Sequence, residues 1–233
     1  MARKPRFAPG GLAYHVMNRT WGKIDLFEDA GDYEAFERVL AEALGEREKS
    51  MRLCAFCLMP NHFHLVLWPA EDGQLSRFMQ WLTMTHVQRW HAHRHSVGRG
   101  HLYQSRFKSF PIQQDGHFLS VCRYVERNAL RARLVETAQE WRWGSMRVRG
   151  RQEGPLKALL ADWPVAMPRN WSKLVDQPQD EKELAALRCS RQRGRPYGDA
   201  DWVPTTARRL GIESSLRNPG RPKKTKEPNE KGL

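Results

Sequence analysis

The sequence predicts an α+β fold: an antiparallel sheet in the ferredoxin-like order βαββαβ, its helices on one face, with a further helix and a basic C-terminal extension. Two observations carry that reading. Short β-type runs alternate with longer runs at helical spacing, and Pro, Gly and Asn breakers stand between them. Leu12 to Arg19 alternates with period two behind Pro9-Gly10-Gly11 and reads as the first strand. Asp29 to Arg47 sets Tyr33, Phe36, Val39, Leu40, Ala43 and Leu44 at helical spacing, with Asp29, Asp32 and Glu34 suiting the positive N-terminal end of a helix. Met51 to Met59 and His62 to Trp68 are β-type runs joined by Pro60-Asn61, a turn dipeptide that fits an antiparallel hairpin. Leu75 to His95 carries Leu75, Phe78, Met79, Leu82, Val87 and Trp90 near helical spacing before the Gly98 and Gly100 loop. Tyr103 to Gln113 alternates again, and Pro111, which has no N–H to donate, assigns it to a sheet edge. Asp115 then caps a helix over Gly116 to Asn128, with Phe118, Leu119, Cys122 and Val125 inward and Tyr124 and Asn128, four apart, together on another face.

Beyond about residue 150 Pro and Arg become frequent, with short helices expected at Asp180 to Cys189 and Thr205 to Leu210. The chain therefore divides into a domain over 1–150 and a partly flexible basic extension over 151–233. No stretch is apolar for the length of a membrane span, and Met1 to Gly11 holds no apolar signal core, so a cytoplasmic protein is expected. Cys54, Cys57, Cys122 and Cys189 are too few and too irregularly spaced for a disulfide scaffold. The formal charge of +13 is uneven: residues 1–85 carry −1, residues 86–149 carry +8 and residues 150–233 carry +6. A basic middle and tail, with Arg outnumbering Lys in the middle, suits a phosphate backbone, since Arg forks match phosphate oxygens.

Residues two apart on a strand share a face, so His62 and His64 converge on one point. They are either two metal nitrogens or two ordinary sheet-face histidines. Two rival metal sites are legible: Cys54 and Cys57 with the same histidines, disfavoured because residues three apart on a strand face opposite ways, and His91, His93, His95 and His101 at a basic helix end. Arg123, Arg127, Arg131 and Arg133 surround Tyr124, and Arg106 and Lys108 follow Gln104, which together suggest a phosphate-binding groove or a solvated face. Trp81, Trp90 and Tyr103 are candidates for base stacking, though spacing gives Trp81 and Trp90 to helix packing. The tail repeats Arg193-Gly194-Arg195-Pro196 and Pro219-Gly220-Arg221-Pro222, in which Arg195 and Arg221 could enter a minor groove or belong to a flexible basic terminus.

Three segments together resemble a known family: Met59-Pro60-Asn61-His62-Phe63-His64-Leu65-Val66, Gly100-His101-Leu102-Tyr103-Gln104-Ser105-Arg106-Phe107-Lys108, and Arg123-Tyr124-Val125-Glu126-Arg127-Asn128-Ala129-Leu130-Arg131-Ala132. In this order they resemble the HUH single-tyrosine transposases, and within them the REP-associated tyrosine transposases, over residues 7 to about 148. The family pattern reads Asn-Pro-Val-Arg-Ala where this chain has Asn128-Ala129-Leu130-Arg131-Ala132. The resemblance implies that Tyr124 is the nucleophile, that His62, His64 and Asn128 hold a divalent metal, Mg or Mn, and that single-stranded or hairpin DNA is the substrate. It implies attack by the Tyr124 oxygen on a phosphodiester, a 3′-hydroxyl leaving group and a 5′-phosphotyrosine intermediate, with no ATP required. By the same analogy a homodimer, nucleoid association and a DNA-recognising extension are expected. The alternative from another class is a non-catalytic nucleic-acid-binding protein that keeps the fold, and a zinc-structural regulator is a third.

Overall fold

The computed structural model describes residues 7–22, 24–98, 100–151 and 154–217. Four strands, β1 (Ala13–Arg19), β2 (Arg52–Met59), β3 (His62–Trp68) and β4 (Lys108–Ile112), form one sheet in the order β2-β3-β1-β4. Every neighbouring pair is antiparallel. Helix α1 (Ala30–Glu42) connects β1 to β2, and α2 (Gln74–His93) connects β3 to β4, which is the expected ferredoxin-like order. After β4 come α3 (Gly116–Glu126), α4 (Asn128–Arg131), α5 (Ser145–Arg151), α6 (Trp171–Asp176), α7 (Glu181–Arg193) and α8 (Trp202–Arg209).

Strand alternation sorts the core into two layers. Tyr14, Val16, Phe63, Leu65 and Leu67 meet Phe36, Leu40, Phe78 and Leu82 of α1 and α2 on one side of the sheet. Ala13, Val66, Phe110 and Ile112 meet Phe118, Val121, Cys122 and Val125 of α3 on the other. The two crossover helices thus share a face, and α3 with the extension covers the opposite one. Asp29 caps α1 by accepting from Asp32 N at 3.1 Å, and Asp115 caps α3 by accepting from His117 N at 2.8 Å.

Three local expectations change. The fourth strand is shorter than Tyr103 to Gln113, because Tyr103 turns its phenol onto His86 Nδ1 at 2.7 Å and packs edge-on against Phe63. A β-bulge between Leu53 and Ala55 breaks the alternation of β2, so Cys54 and Cys57 lie in the same core layer rather than on opposite faces. Tyr124 and Asn128 are buried rather than set apart from the core, because the extension packs over α3 and gives that helix two inward sides.

The extension is tied to the domain at particular atoms. Trp163 Nε1 donates to Cys54 O at 2.8 Å, and Trp171 Nε1 donates to the buried Glu126 Oε2 at 2.6 Å. Tyr197 N donates to Pro111 O and Gln113 N to Tyr197 O, both at 2.9 Å, which covers the edge that Pro111 interrupts. The helices expected at Asp180 to Cys189 and Thr205 to Leu210 are present, longer or earlier, as α7 and α8. Arg221 lies outside the described residues.

Candidate active site

The β1–β3 ladder pairs Arg19 with His62 and Met17 with His64, so the two imidazoles of β3 share the sheet face covered by α3. Their ring centroids are 4.9 Å apart. A third imidazole joins them from β1: His15 Nε2 lies 2.8 Å from His64 Nδ1. Burial pushes all three toward the neutral form. The His62 pKa falls to about 4 and that of His15 to about 3, with neighbouring Arg191 adding to the burial effect, and His64 lies well below its usual value. Neutral imidazole is the form that binds a metal.

The hydrogen bonds say which nitrogens remain available. His62 Nδ1 lies 2.7 Å from Asn61 Oδ1, and since a carbonyl oxygen only accepts, Nδ1 carries the proton and the Nε2 lone pair is left over. His64 is fully buried, its Nδ1 is engaged with His15, and its Nε2 has no partner among the described residues. An orphaned buried nitrogen is costly unless something else satisfies it. With the His64 proton on Nδ1, donated to His15, both Nε2 atoms offer lone pairs, and His15 orients the imidazole as outer-shell partners of metal ligands do.

Tyr124 approaches this trio from α3. Its ring packs edge-on at 5.9 Å from His64 and 6.2 Å from His15, and it is only 3% exposed. Two cations bracket the phenol. Arg191 of α7 donates to the hydroxyl oxygen at 3.2 Å, and the Arg131 guanidinium sits over the ring face at 4.3 Å. Arg191 also lines a pocket of ≈ 240 Å³ with Met17, Arg19, His62, Gln104 and Lys108. His62 lines the same pocket, so Arg191 touches both that pocket and the phenol oxygen.

A family model described as "Transposase IS200 like" matches residues 10–128, more than half of the chain, which span the three histidines, Tyr124 and Asn128. The chain belongs to the IS200-like transposase family. Among solved structures, one of a REP-associated tyrosine transposase bound to a REP hairpin is similar, with a TM-score of 0.54 and 15% identity over 77% of this chain and 93% of that one. Identity that low establishes a shared fold. No curated protein matches the chain in sequence.

Within this IS200-like transposase the expected site residues divide into those gathered at the trio and those held elsewhere. His62, His64 and Tyr124 come together, and Gln104 and Lys108 share the His62 pocket. Arg106 is exposed in a neighbouring groove that runs along α2. Asn128, expected as a third metal ligand, is engaged on both sides of its amide: its Nδ2 donates to the carbonyls of Tyr124 and Val125, and its Oδ1 accepts one hydrogen bond from Arg131, which leaves that oxygen a second lone pair. Arg123 and Arg127, expected on phosphates, donate to carbonyls at the end of α6 and just beyond, Gln177 and Pro178 for the first and Val175 and Asp176 for the second. Arg195 is half-buried in the link between α7 and Tyr197. Trp81, Trp90 and Tyr103 pack against the α1–α2 core.

Sequence reasoning missed His15 and Arg191. His15 shares the alternating face of β1 with Ala13 and Met17, a signal legible only once the strand order is known. A separate donor group, Asp115, His117 and Asp199, falls within 4.8 Å, but His117 Nδ1 is already bonded to Asp115, which caps α3.

Proposed function

We propose that this transposase nicks and rejoins single-stranded DNA beside a hairpin or palindromic element through a covalent Tyr124 intermediate, as the REP-associated branch resemblance implies. The observation that carries the proposal is the seating of the Tyr124 phenol against His64 with Arg191 on its oxygen. The Tyr124 oxygen attacks the scissile phosphorus, a phosphotyrosine bond forms and the bond to the 3′ oxygen breaks. The phenol proton passes to solvent, and the departing 3′ oxygen takes one up. One phosphodiester replaces another, so rejoining by the reverse attack needs no nucleotide cofactor.

Arg191 and Arg131 stabilise negative charge that develops on the phenol oxygen and phosphate, and one buried guanidinium nitrogen of Arg131 has no partner among the described residues, which suits that role. Arg191 touches both the phenol oxygen and the pocket, so it meets a phosphate that enters from the pocket. Lys108, Gln104 and Arg106 follow the backbone outward. His62 and His64 would hold a divalent ion through their Nε2 atoms, and the orphaned nitrogen of His64 fits that role. A bound Mg²⁺ or Mn²⁺ would supply Lewis-acid polarisation of the scissile phosphate there.

The test is a denaturing gel of labelled hairpin oligonucleotides from the gene's own flanks, with Mg²⁺, Mn²⁺ or chelator. A covalent band that needs both metal and Tyr124, and that His64→Ala abolishes while hairpin affinity persists, is the expected result. Binding with no adduct under any of these conditions would instead make the chain a non-catalytic DNA-binding protein.

A further inference from the structure

The loop that follows β1 holds out an aromatic ring that the chemistry above does not use. Trp21 is 62% exposed, an unusual position for the largest side chain. Its backbone is nonetheless fixed on both sides. Thr20 N donates to Asn61 O at 3.1 Å, Trp21 N donates to Leu102 O at 3.0 Å, and Thr20 Oγ1 donates to Ile24 O at 2.6 Å. Gly22 follows with a φ of 70°, a left-handed turn that glycine adopts without strain. A flat ring mounted on a pinned loop loses little freedom when it takes a partner.

The surroundings say what partner that is. Arg19, Thr20, Gly22 and Gln104 complete a shallow depression around the indole, and Arg19 and Gln104 also wall the pocket that contains His62. Arg19 sits directly opposite His62 in the sheet. The Trp21 backbone lies two residues beyond Arg19, the last residue of β1, a reach of at most roughly 7 Å along the chain. That is the length of about two stacked nucleotides. The pocket side of this wall is cationic, through Arg19, Lys108 and Arg191, and the outer side presents an aromatic face. Phosphate on one side and a flat apolar ring on the other are the two halves of an unpaired nucleotide.

We propose that Trp21 is a stacking platform for an unpaired base one or two nucleotides from the scissile phosphate, with Arg19 and Gln104 guiding the backbone between them. The proposal rests on the reading of the His62 and Tyr124 site as one that takes single-stranded DNA. Stacking accepts any base, so the platform sets the path of the strand rather than its sequence.

The test measures binding by fluorescence anisotropy in chelator, using a labelled DNA hairpin with an oligo(dT) flank and a series in which each flank nucleotide in turn is abasic. Trp21→Ala is expected to weaken binding about tenfold, and one abasic position to cost the wild type a similar factor. That same abasic position costs Trp21→Ala little more, and Trp21→Phe keeps most of the affinity because it keeps a ring. Unchanged affinity in Trp21→Ala, or abasic losses that are the same with and without Trp21, would overturn the platform. The readout needs no cleavage. Coupling between Trp21 and one base alongside Tyr124-independent cleavage would remove the catalytic reading and leave the platform, whereas Tyr124-dependent cleavage without coupling would remove the platform alone.

Discussion

His62 and His64 share a strand face by their spacing alone, whereas Tyr124 stands out only through the resemblance of its segment to a family motif. Two of their polar partners, distant in sequence, were not legible. His15 meets His64 across 49 residues of chain, and Arg191 meets Tyr124 across 67, so no local pattern points to either. Asn128 has its partners close by on α3 and α4, but these, two carbonyls and Arg131, are likewise set by the fold and not by the motif. The Arg191 contact yields a direct prediction. Arg191→Ala should lower the single-turnover cleavage rate by roughly 10²–10³-fold, the range for loss of one charge-stabilising donor, with hairpin affinity changed far less. A rate within a factor of two of wild type would remove Arg191 from the chemistry.

At the scale of elements, the strands and the two crossover helices followed from periodicity, and the departures came from tertiary structure. The bulge after Leu53 put Cys54 and Cys57 in one layer, where burial pushes both thiols up to about 12, and no alternation rule foresees an extra residue in a strand. Helix α6 was missed because its six residues are too few for a period to show. What secures it is a buried carboxylate. Glu126 of α3 accepts from Ser145 Oγ at 2.5 Å and from Trp171 Nε1 at 2.6 Å, and burial raises its pKa. Trp171→Phe keeps an aromatic ring but leaves Glu126 Oε2 without that donor, which should cost about 1–3 kcal/mol in urea unfolding. Unfolding at the wild-type midpoint would mean that the carboxylate finds another partner and that α6 docks through apolar contact alone.

Across the whole molecule, buried histidines make stability depend on pH. His15, His62 and His86 have pKa values lowered to about 3, 4 and 3, and His64 lies well below 6.5. Between about pH 6.5 and 4.5 the unfolded chain protonates these four and the folded chain does not, so stability falls as pH falls. Glu37, raised to about 7, and Glu126 act in the opposite sense over that window, because the folded state holds their protons. Four groups against two leave a net loss on acidification, at most on the order of 3 kcal/mol per pH unit. Thermal unfolding in chelator should therefore shift downward from pH 7 to pH 5, and a flat or rising midpoint would show that the histidines are charged in the fold.

At the same scale stands the basic extension over 151–233. Its Pro and Arg content resembles a tail, yet Trp163, Trp171, Leu184, Leu187 and Tyr197 bury against α3 and the sheet, and α7 delivers Arg191 to the phenol. The central claim is that this enclosed phenol is the nucleophile. Its most direct test is to trap the protein–DNA adduct, digest both components and locate the attached nucleotide by peptide mass spectrometry. The account predicts a nucleotide 5′-phosphate on Tyr124, absent from Tyr124→Phe. An adduct on any other residue, or cleavage that persists in Tyr124→Phe, would contradict it.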